Sequence, residues 1–259
     1  MRKTALITGA SSGIGQELAY IHAQKGGDLI IVARSEGKLQ NLKEELEKQH
    51  SVSVKVIVKD LAQSNAAQEV YDEVVNTNLQ VDYLVNNAGF GQVGKFHELS
   101  WNRQGSMIQL NIMALTQLTH LFLPEFVQRN SGKILNVSST ASLMPGPLQA
   151  VYFATKAYVT SLSNALAEEL SNTNVTITNL MPGATETDFG STSGMDKTAL
   201  FANTANAKKV AEDGYQGMLD GKLDVMAGLT SIQKFMMSVV PITPKKLLLK
   251  QVHQLQQTK

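Results

Sequence analysis

The sequence has no cysteine, and that absence excludes disulfides, thiolate zinc sites, iron–sulfur clusters and cysteine nucleophiles. Redox work by such a chain needs a bound organic cofactor, and no metal site is expected. Neither sign of charge is in excess: 23 Lys and Arg stand against 22 Asp and Glu, a net charge of +1, so no overall field recruits nucleic acid or an anionic membrane. No apolar run approaches the roughly 18 residues of a membrane span. The start, Met1-Arg2-Lys3-Thr4, passes directly into Ala5-Leu6-Ile7 and is too short for a signal-peptide core, so a soluble cytoplasmic protein is expected. Internal repeats and low-complexity linkers are also missing, and the 259 residues, 43% hydrophobic, are expected to form one domain over 1–259.

What is present is an alternation. Short β-rich apolar runs at 4–8, 28–34, 52–58, 81–86, 133–138, 175–180 and 223–227 are separated by helical patterns, the signature of parallel βαβ units. Leu39, Leu42 and Leu46 share one helical face, as do Leu115, Leu118 and Phe122, and Val159, Leu162, Leu166 and Leu170; these stripes are expected to be core. The expected fold class is α/β, a three-layer doubly wound Rossmann fold on a seven-stranded parallel sheet.

The first run leads into Thr8-Gly9-Ala10-Ser11-Ser12-Gly13-Ile14-Gly15 and then a helical pattern through Leu18, Ala19 and Ile21. Glycines at a first βα turn let the backbone approach phosphates, and the helix N-terminus that follows offers free N–H groups and a favourable dipole. Gly9, Ser11, Ser12, Gly13, Ile14 and Gly15 are therefore candidates for holding a dinucleotide pyrophosphate. A purely structural turn fits the same glycines, and Gly9-Ala10-Ser11-Ser12-Gly13 also matches the nucleophile elbow of α/β-hydrolases. Only one strand precedes Ser11, too few to build a hydrolase oxyanion hole, and none of the five histidines sits in a motif that completes a triad. The second run ends Val32-Ala33-Arg34-Ser35, with no acid for a ribose 2′-OH, whereas an arginine there accommodates a 2′-phosphate. Asp28 opens that run and lies on the wrong side. NADP(H) is expected over NAD(H), unless Arg34 is an ordinary surface cation.

Tyr152-Phe153-Ala154-Thr155-Lys156 opens a helical pattern that continues through Val159 and Leu162, and a spacing of four puts Tyr152 and Lys156 on one face. A phenol with a free pKa of about 10 is a poor acid–base catalyst at neutral pH, and a neighbouring ammonium favours the phenolate and lowers that value. The lysine can also bond the nicotinamide ribose hydroxyls, and Ser139, at the end of the fifth run, would hold a substrate oxygen for the tyrosine. Alone, Y-x-x-x-K fits an exposed pair as well, and a serine at a strand end fits a turn cap.

In company these motifs are more specific. Over nearly its whole length the chain resembles the single-domain short-chain dehydrogenase/reductases, with the motifs in that family's order. Residues 8–15 resemble its T-G-x-x-x-G-x-G turn, Asp60-Leu61 its adenine-contacting acidic pair, Asn86-Asn87-Ala88-Gly89 its N-N-A-G segment, and residues 182–187 its P-G-x-x-x-T segment beside the carboxamide. Asn111 stands at the family's catalytic asparagine, Ser139 at its serine, and Tyr152 and Lys156 at Y-x-x-x-K. The resemblance implies hydride transfer between nicotinamide C4 and a carbonyl carbon. Tyr152 would be general acid in reduction and base in oxidation, Ser139 would orient the substrate oxygen, Lys156 would tune Tyr152 and bind ribose, and Asn111 would anchor a water for proton replacement. Cofactor contacts are implied for Asp60, Leu61, Asn87, Ala88, Gly89, Pro182, Gly183, Thr185 and Thr187. On the residues alone Asn111 reads equally as a buried amide and Asp60 as a helix cap. A cofactor-binding regulatory or scaffold protein with little turnover is the alternative, disfavoured by the complete proton-donor set.

The stretch 187–204, rich in Ser, Thr, Gly and Asn, follows the C-terminal end of a run and is expected to be a mobile flap over the site. Family positions for substrate contact fall near 91–96, 143–149 and 187–201. The tail 228–259 carries Phe235, Met236, Met237 and Leu248 beside Lys245, Lys246 and Lys250. Its expected use is a lid or subunit contact that buries those apolar residues, the alternative being a weak interfacial contact with a membrane. The partners expected are a lipophilic or medium-sized carbonyl or alcohol, and further copies of the chain as a homodimer or homotetramer pairing helices around 110–121 and 159–170.

Overall fold

Apolar runs buried on both faces become parallel strands covered by helices, and β1 (Thr4–Thr8) and β2 (Asp28–Ala33) are such runs, buried at every position but Asp28. The computed structural model describes residues 2–77 and 79–257. With β3 (Val54–Val58), β4 (Tyr83–Asn86), β5 (Gly132–Val137), β6 (Val175–Pro182) and β7 (Asp224–Ala227) they form one parallel sheet in the order β3-β2-β1-β4-β5-β6-β7. All seven expected runs are strands, the first with its expected bounds and the others with an end displaced by at most two residues. β3 starts late because the Ser53 N–H donates to the Asp28 carboxylate at 2.8 Å. β2 stops at Ala33, which leaves Arg34 just beyond the sheet.

Side chains alternate across the sheet and make two cores. Ile7, Ile31, Leu135 and Leu180 pack with α1 (Gly13–Gln24), α2 (Glu36–His50) and α8 (Ala207–Leu219). Leu6, Ile30, Leu84 and Ile134 pack with α3 (Ala66–Val75), α5 (Leu115–Gln128) and α6 (Ala150–Glu169). The first two leucine stripes are buried as expected. The third is not wholly core: α6 buries Thr155, Lys156, Val159 and Ser163, and Leu162 and Leu166 are only half-buried. The sheet beneath α6 is polar, with Asn136 Nδ2 donating to Ser163 Oγ at 2.9 Å, so a serine faces it.

A third cluster brings the end of the chain back to the strands' carboxyl ends. Val240, Leu248 and Val252 pack with Tyr152 and Phe153, carried by α9 (Ser231–Val239), the turn after it, and α10 (Lys245–Gln256). Leu248 is buried and Met237 packs against this cluster, but Phe235 and Met236 are exposed. Within the single chain the tail therefore buries Leu248 and part-buries Met237, and leaves Phe235 and Met236 outward, where only a contact outside the chain would cover them. The strand order reverses direction between β1 and β4, which leaves a crevice at the carboxyl ends where ligands bind in such sheets.

Candidate active site

The carboxyl ends of the strands open into one cavity of about 590 Å³. At one end its wall is the first βα turn. Gly9 has φ +67°, and a Cβ there would lie 2.9 Å from Ala88 Cα; a Cβ on Gly15 would collide with the Gly9 carbonyl. Only glycines let this turn close against the loop after β4. The contact is stapled by Thr8 Oγ1, which accepts from Asn87 N at 2.9 Å and Ala88 N at 3.0 Å, and by Asn87 Nδ2, which donates to Thr8 O at 2.9 Å. Ser12 precedes α1 in extended conformation with no side-chain cap bond, leaving its hydroxyl and the helix N-terminus for a phosphate. Five cations, Arg34, Lys38, Lys59, Arg103 and Lys156, line the cavity against two acids, Asp60 and Asp188. Both acids are engaged: Asp60 Oδ1 accepts from Ala62 N at 3.1 Å, and Asp188 pairs with Lys38 at 3.3 Å. A glycine cradle with this charge balance fits a dinucleotide.

At the other end α6 presents Tyr152 and Lys156, 6% and 5% exposed, beside Ser139. Burial pushes the Tyr152 phenol up to about 12, with the Ser139 hydroxyl pulling the other way. Burial also pushes the Lys156 ammonium down to about 8. The expectation that the lysine lowers the phenol's pKa is not met here. Lys156 Nζ donates to Val137 O at 2.8 Å and stands 5.9 Å from the phenol ring centre, so desolvation outweighs its field. Ser139 Oγ also accepts from Ala141 N at 3.1 Å, so a turn cap and a cavity hydroxyl are the same atom.

Asn111 lies in a π-helical segment, Gln109–Ala114, between α4 (Trp101–Ile108) and α5. Both N–H groups of its buried amide and one lone pair of its oxygen are engaged: Nδ2 donates to Phe90 O at 3.0 Å and Thr155 Oγ1 at 3.1 Å, and Oδ1 accepts from Phe90 N at 3.2 Å. It ties the β4 loop to α6 one residue before Lys156. Gly15 and Asn111 do not line the cavity, and every other candidate catalytic or cofactor-binding residue of the sequence analysis does.

The stretch 187–204 folds over the cavity as α7 (Asp188–Ser193) and two short 3-10 turns. Thr187 caps α7, its hydroxyl accepting from Phe189 N at 3.3 Å, and Gly194, at φ +76°, ends it. The Phe189 ring lies 5.4 Å from that of Tyr152. Sequence reasoning missed Phe90, Arg103, Phe153, Val252 and Leu255, which also line the cavity. Arg103 stacks 4.5 Å over Phe90 and donates to Thr192 O at 3.2 Å, joining loop and flap; an arginine on a polar helix carries no local signal of that. Of the segment 91–96 no residue lines the cavity, and of 143–149 only Met144 does. The former is drawn away by backbone bonds from Val93 N to Ser193 O at 3.0 Å and from Gly94 N to Leu148 O at 2.8 Å.

Comparison with known proteins meets this geometry. The family model described as short chain dehydrogenase matches residues 3–198. An uncharacterized oxidoreductase of Bacillus subtilis, YvaG, is 34% identical over 186 residues, 72% of this chain and 69% of that protein. Sulfoacetaldehyde reductase 2 of Chromohalobacter salexigens is 37% identical over 194 residues, 73% of this chain and 75% of that protein. Among solved structures, a short-chain dehydrogenase from Sphingobium yanoikuyae in complex with NADPH superposes with a TM-score of 0.84 at 29% identity, covering 95% of this chain and 94% of that one.

Proposed function

From the premise that this chain belongs to the short chain dehydrogenase family and is an NAD(P)-dependent oxidoreductase of alcohol and carbonyl groups, we propose that it prefers NADP(H) and acts on a lipophilic or medium-sized ketone or aldehyde. One observation carries the reading: a single cavity has a glycine cradle and Arg34 at one end and Ser139, Tyr152 and Lys156 at the other. Gly9, Ser11, Ser12, Gly13 and Ile14 would hold the pyrophosphate, Arg34 the 2′-phosphate, Asp60 and Leu61 the adenine, and Asn87, Ala88, Gly89, Pro182, Gly183, Thr185 and Thr187 the nicotinamide half. The NADPH held by the Sphingobium yanoikuyae relative supports the choice of cofactor.

The bound nicotinamide supplies the hydride that the carbonyl carbon receives; the protein's own part is the proton. With its pKa pushed up to about 12, Tyr152 is neutral at physiological pH and gives its proton to the carbonyl oxygen as the O–H bond breaks. Ser139 would donate a hydrogen bond to the same oxygen and hold it at the phenol. The Lys156 ammonium would stabilise the phenolate left behind, and Asn111 would keep the β4 loop and α6 in register. Oxidation runs the same proton path backwards. Beyond Tyr152 the cavity is walled by Phe90, Met144, Phe153, Phe189 and Met237, which favours an apolar substrate body. A binding-only regulator has no use for a desolvated proton donor facing the cavity and is not favoured. Exposed Met113 and Tyr158 beside half-buried Leu162 support pairing of the α5 and α6 region in a homodimer or homotetramer, and a monomeric mass at micromolar protein would refute it.

The test is loss of reduced-nicotinamide absorbance with NADPH and NADH in turn, against aldehydes, ketones, quinones and ketosteroids. Turnover that prefers NADPH and favours apolar carbonyls is expected. Equal use of NADH, or turnover of small polar sugars alone, refutes the cofactor or substrate part, and failure to bind either nucleotide overturns the whole.

A further inference from the structure

α9 faces the wrong way for a core helix. Ile232, Phe235 and Met236, at positions i, i+3 and i+4, are 75%, 69% and 55% exposed, and Met237 on the opposite side lines the active-site cavity. An amphipathic helix on a folded domain ordinarily turns its apolar stripe to the core, but this stripe meets water. Ile242, on the turn after α9, and Leu247, at the start of α10, are exposed too. An exposed apolar stripe of this kind marks a contact with something.

The charge around it points to the chemistry of that contact. Residues 225–259 hold five of the chain's 23 basic residues and none of its 22 acids. Lys234, Lys245, Lys246 and Lys250 are exposed beside the apolar side chains. The neutral total therefore hides a local positive field. A second copy seated on this patch by two-fold symmetry would bring the same surface, with its lysines and none of its own acids, to face them. An anionic lipid surface answers both features, since apolar side chains enter the headgroup boundary and lysines meet the headgroups. Among the described residues no helix is long and apolar enough to cross a membrane, so the contact lies along the surface.

We propose that the α9–α10 surface docks the protein on an anionic bilayer, with Ile232, Phe235 and Met236 in the interface, which places the substrate cavity beside the lipid. This rests on the functional reading above only for its second half, that a lipophilic carbonyl enters the cavity from the bilayer. Met237, Val252 and Leu255 come from the same two helices and line that cavity, so the docked face and the substrate wall are two sides of one element.

The experiment is flotation of the full chain with phosphatidylcholine vesicles, with and without phosphatidylserine, at low and high salt. Binding to the anionic vesicles alone, weakened by salt, is expected. Phe235→Ser with Met236→Ser should abolish it, and Lys245→Glu with Lys246→Glu should weaken it more than tenfold, since each lysine near such a surface contributes about fivefold. Both double variants should melt like the wild type and reduce a water-soluble aldehyde with NADPH at the wild-type rate, while the KM for a vesicle-borne long-chain ketone rises. No flotation, or equal flotation with neutral vesicles, overturns the proposal. So does a concentration-dependent dimer that the Phe235→Ser, Met236→Ser variant abolishes, because a second copy then covers the patch. If the wild type lacks NADPH-dependent turnover of every carbonyl tried, the functional reading falls, and flotation alone still decides the docking.

Discussion

Replacing Tyr152 by phenylalanine isolates one atom. The ring is 6% exposed and packs edge-on to Phe153 at 6.1 Å and against Phe189 at 5.4 Å, contacts that phenylalanine keeps. The lost hydroxyl makes no hydrogen bond among the described residues, although the Ser139 hydroxyl pulls its pKa down, so stability should change by no more than about 1 kcal/mol in either direction. The effect on rate should be far larger. A positioned general acid contributes about 10²- to 10⁴-fold, a barrier change of roughly 2.7 to 5.4 kcal/mol. Ser139 and Lys156 carry no proton at the same place to stand in for it, so a loss of about 10³-fold or more in kcat is expected. The assay is NADPH oxidation at saturating carbonyl, paired with NADPH binding followed by fluorescence and with a thermal melt. Unchanged binding and melting with lost turnover supports the assignment. A kcat within tenfold of the wild type refutes it, and lost NADPH binding would make the hydroxyl a structural group instead.

Arg34→Leu should weaken NADPH about 10- to 100-fold and leave NADH nearly unchanged, the lower end of the worth of a charge-assisted bond because Arg34 is exposed; equal effects on both nucleotides would remove Arg34 from the 2′-phosphate. The Lys156 ammonium, held down to about 8 by burial, is charged below that pH and neutral above it. Reductive kcat should therefore fall as pH rises through about 8, and Lys156→Arg should move that limb upward; a flat profile across it would count against the lysine. Gly9→Val forces a β-branched residue to φ +67° with its Cβ against Ala88, and both nucleotides should be lost together; tight NADPH binding by this variant would refute the cradle. His22 is buried, with ring bonds to Tyr215 Oη, Lys3 O and Asp28 O, and burial lowers its pKa. The unfolded chain then takes up a proton that the folded one refuses, so stability should decline as pH falls below the free-histidine value of about 6.5, and His22→Gln should flatten that decline in urea midpoints. Parallel declines in the two proteins would clear His22 of the effect.

The strands were legible because each is an apolar run bounded by turn residues, and such runs need no distant information to be recognised as buried sheet. The glycine turn and the Tyr152–Lys156 spacing were legible for the same reason, being local in the chain. What was not legible is what distant segments bring. The stripe through Leu162 and Leu166 is periodic, yet the polar Asn136 beneath α6 selects Ser163 for the inward face. The π-helical turn at Gln109–Ala114 has no residue pattern of its own; Asn111 is turned inward to bonds on Phe90 and Thr155, one of them in a helix begun some forty residues later.

The same distinction explains why the tyrosine's expected shift came out with the opposite sign. Helical spacing places an ammonium a turn from a phenol, and if charge proximity were all, the phenol's pKa would fall. Whether proximity wins depends on how much water the pair retains. That is decided by Phe153 beside the phenol, by Phe189 on the flap above it, and by the α10 residues Leu248 and Val252 packed on the same cluster. Those groups come from three separate stretches of chain, so desolvation is a property of the assembled site and not of the motif. A neutral phenol beside a lysine held down to about 8 would hold the proton that reduction consumes and, as the phenolate, take one back in oxidation.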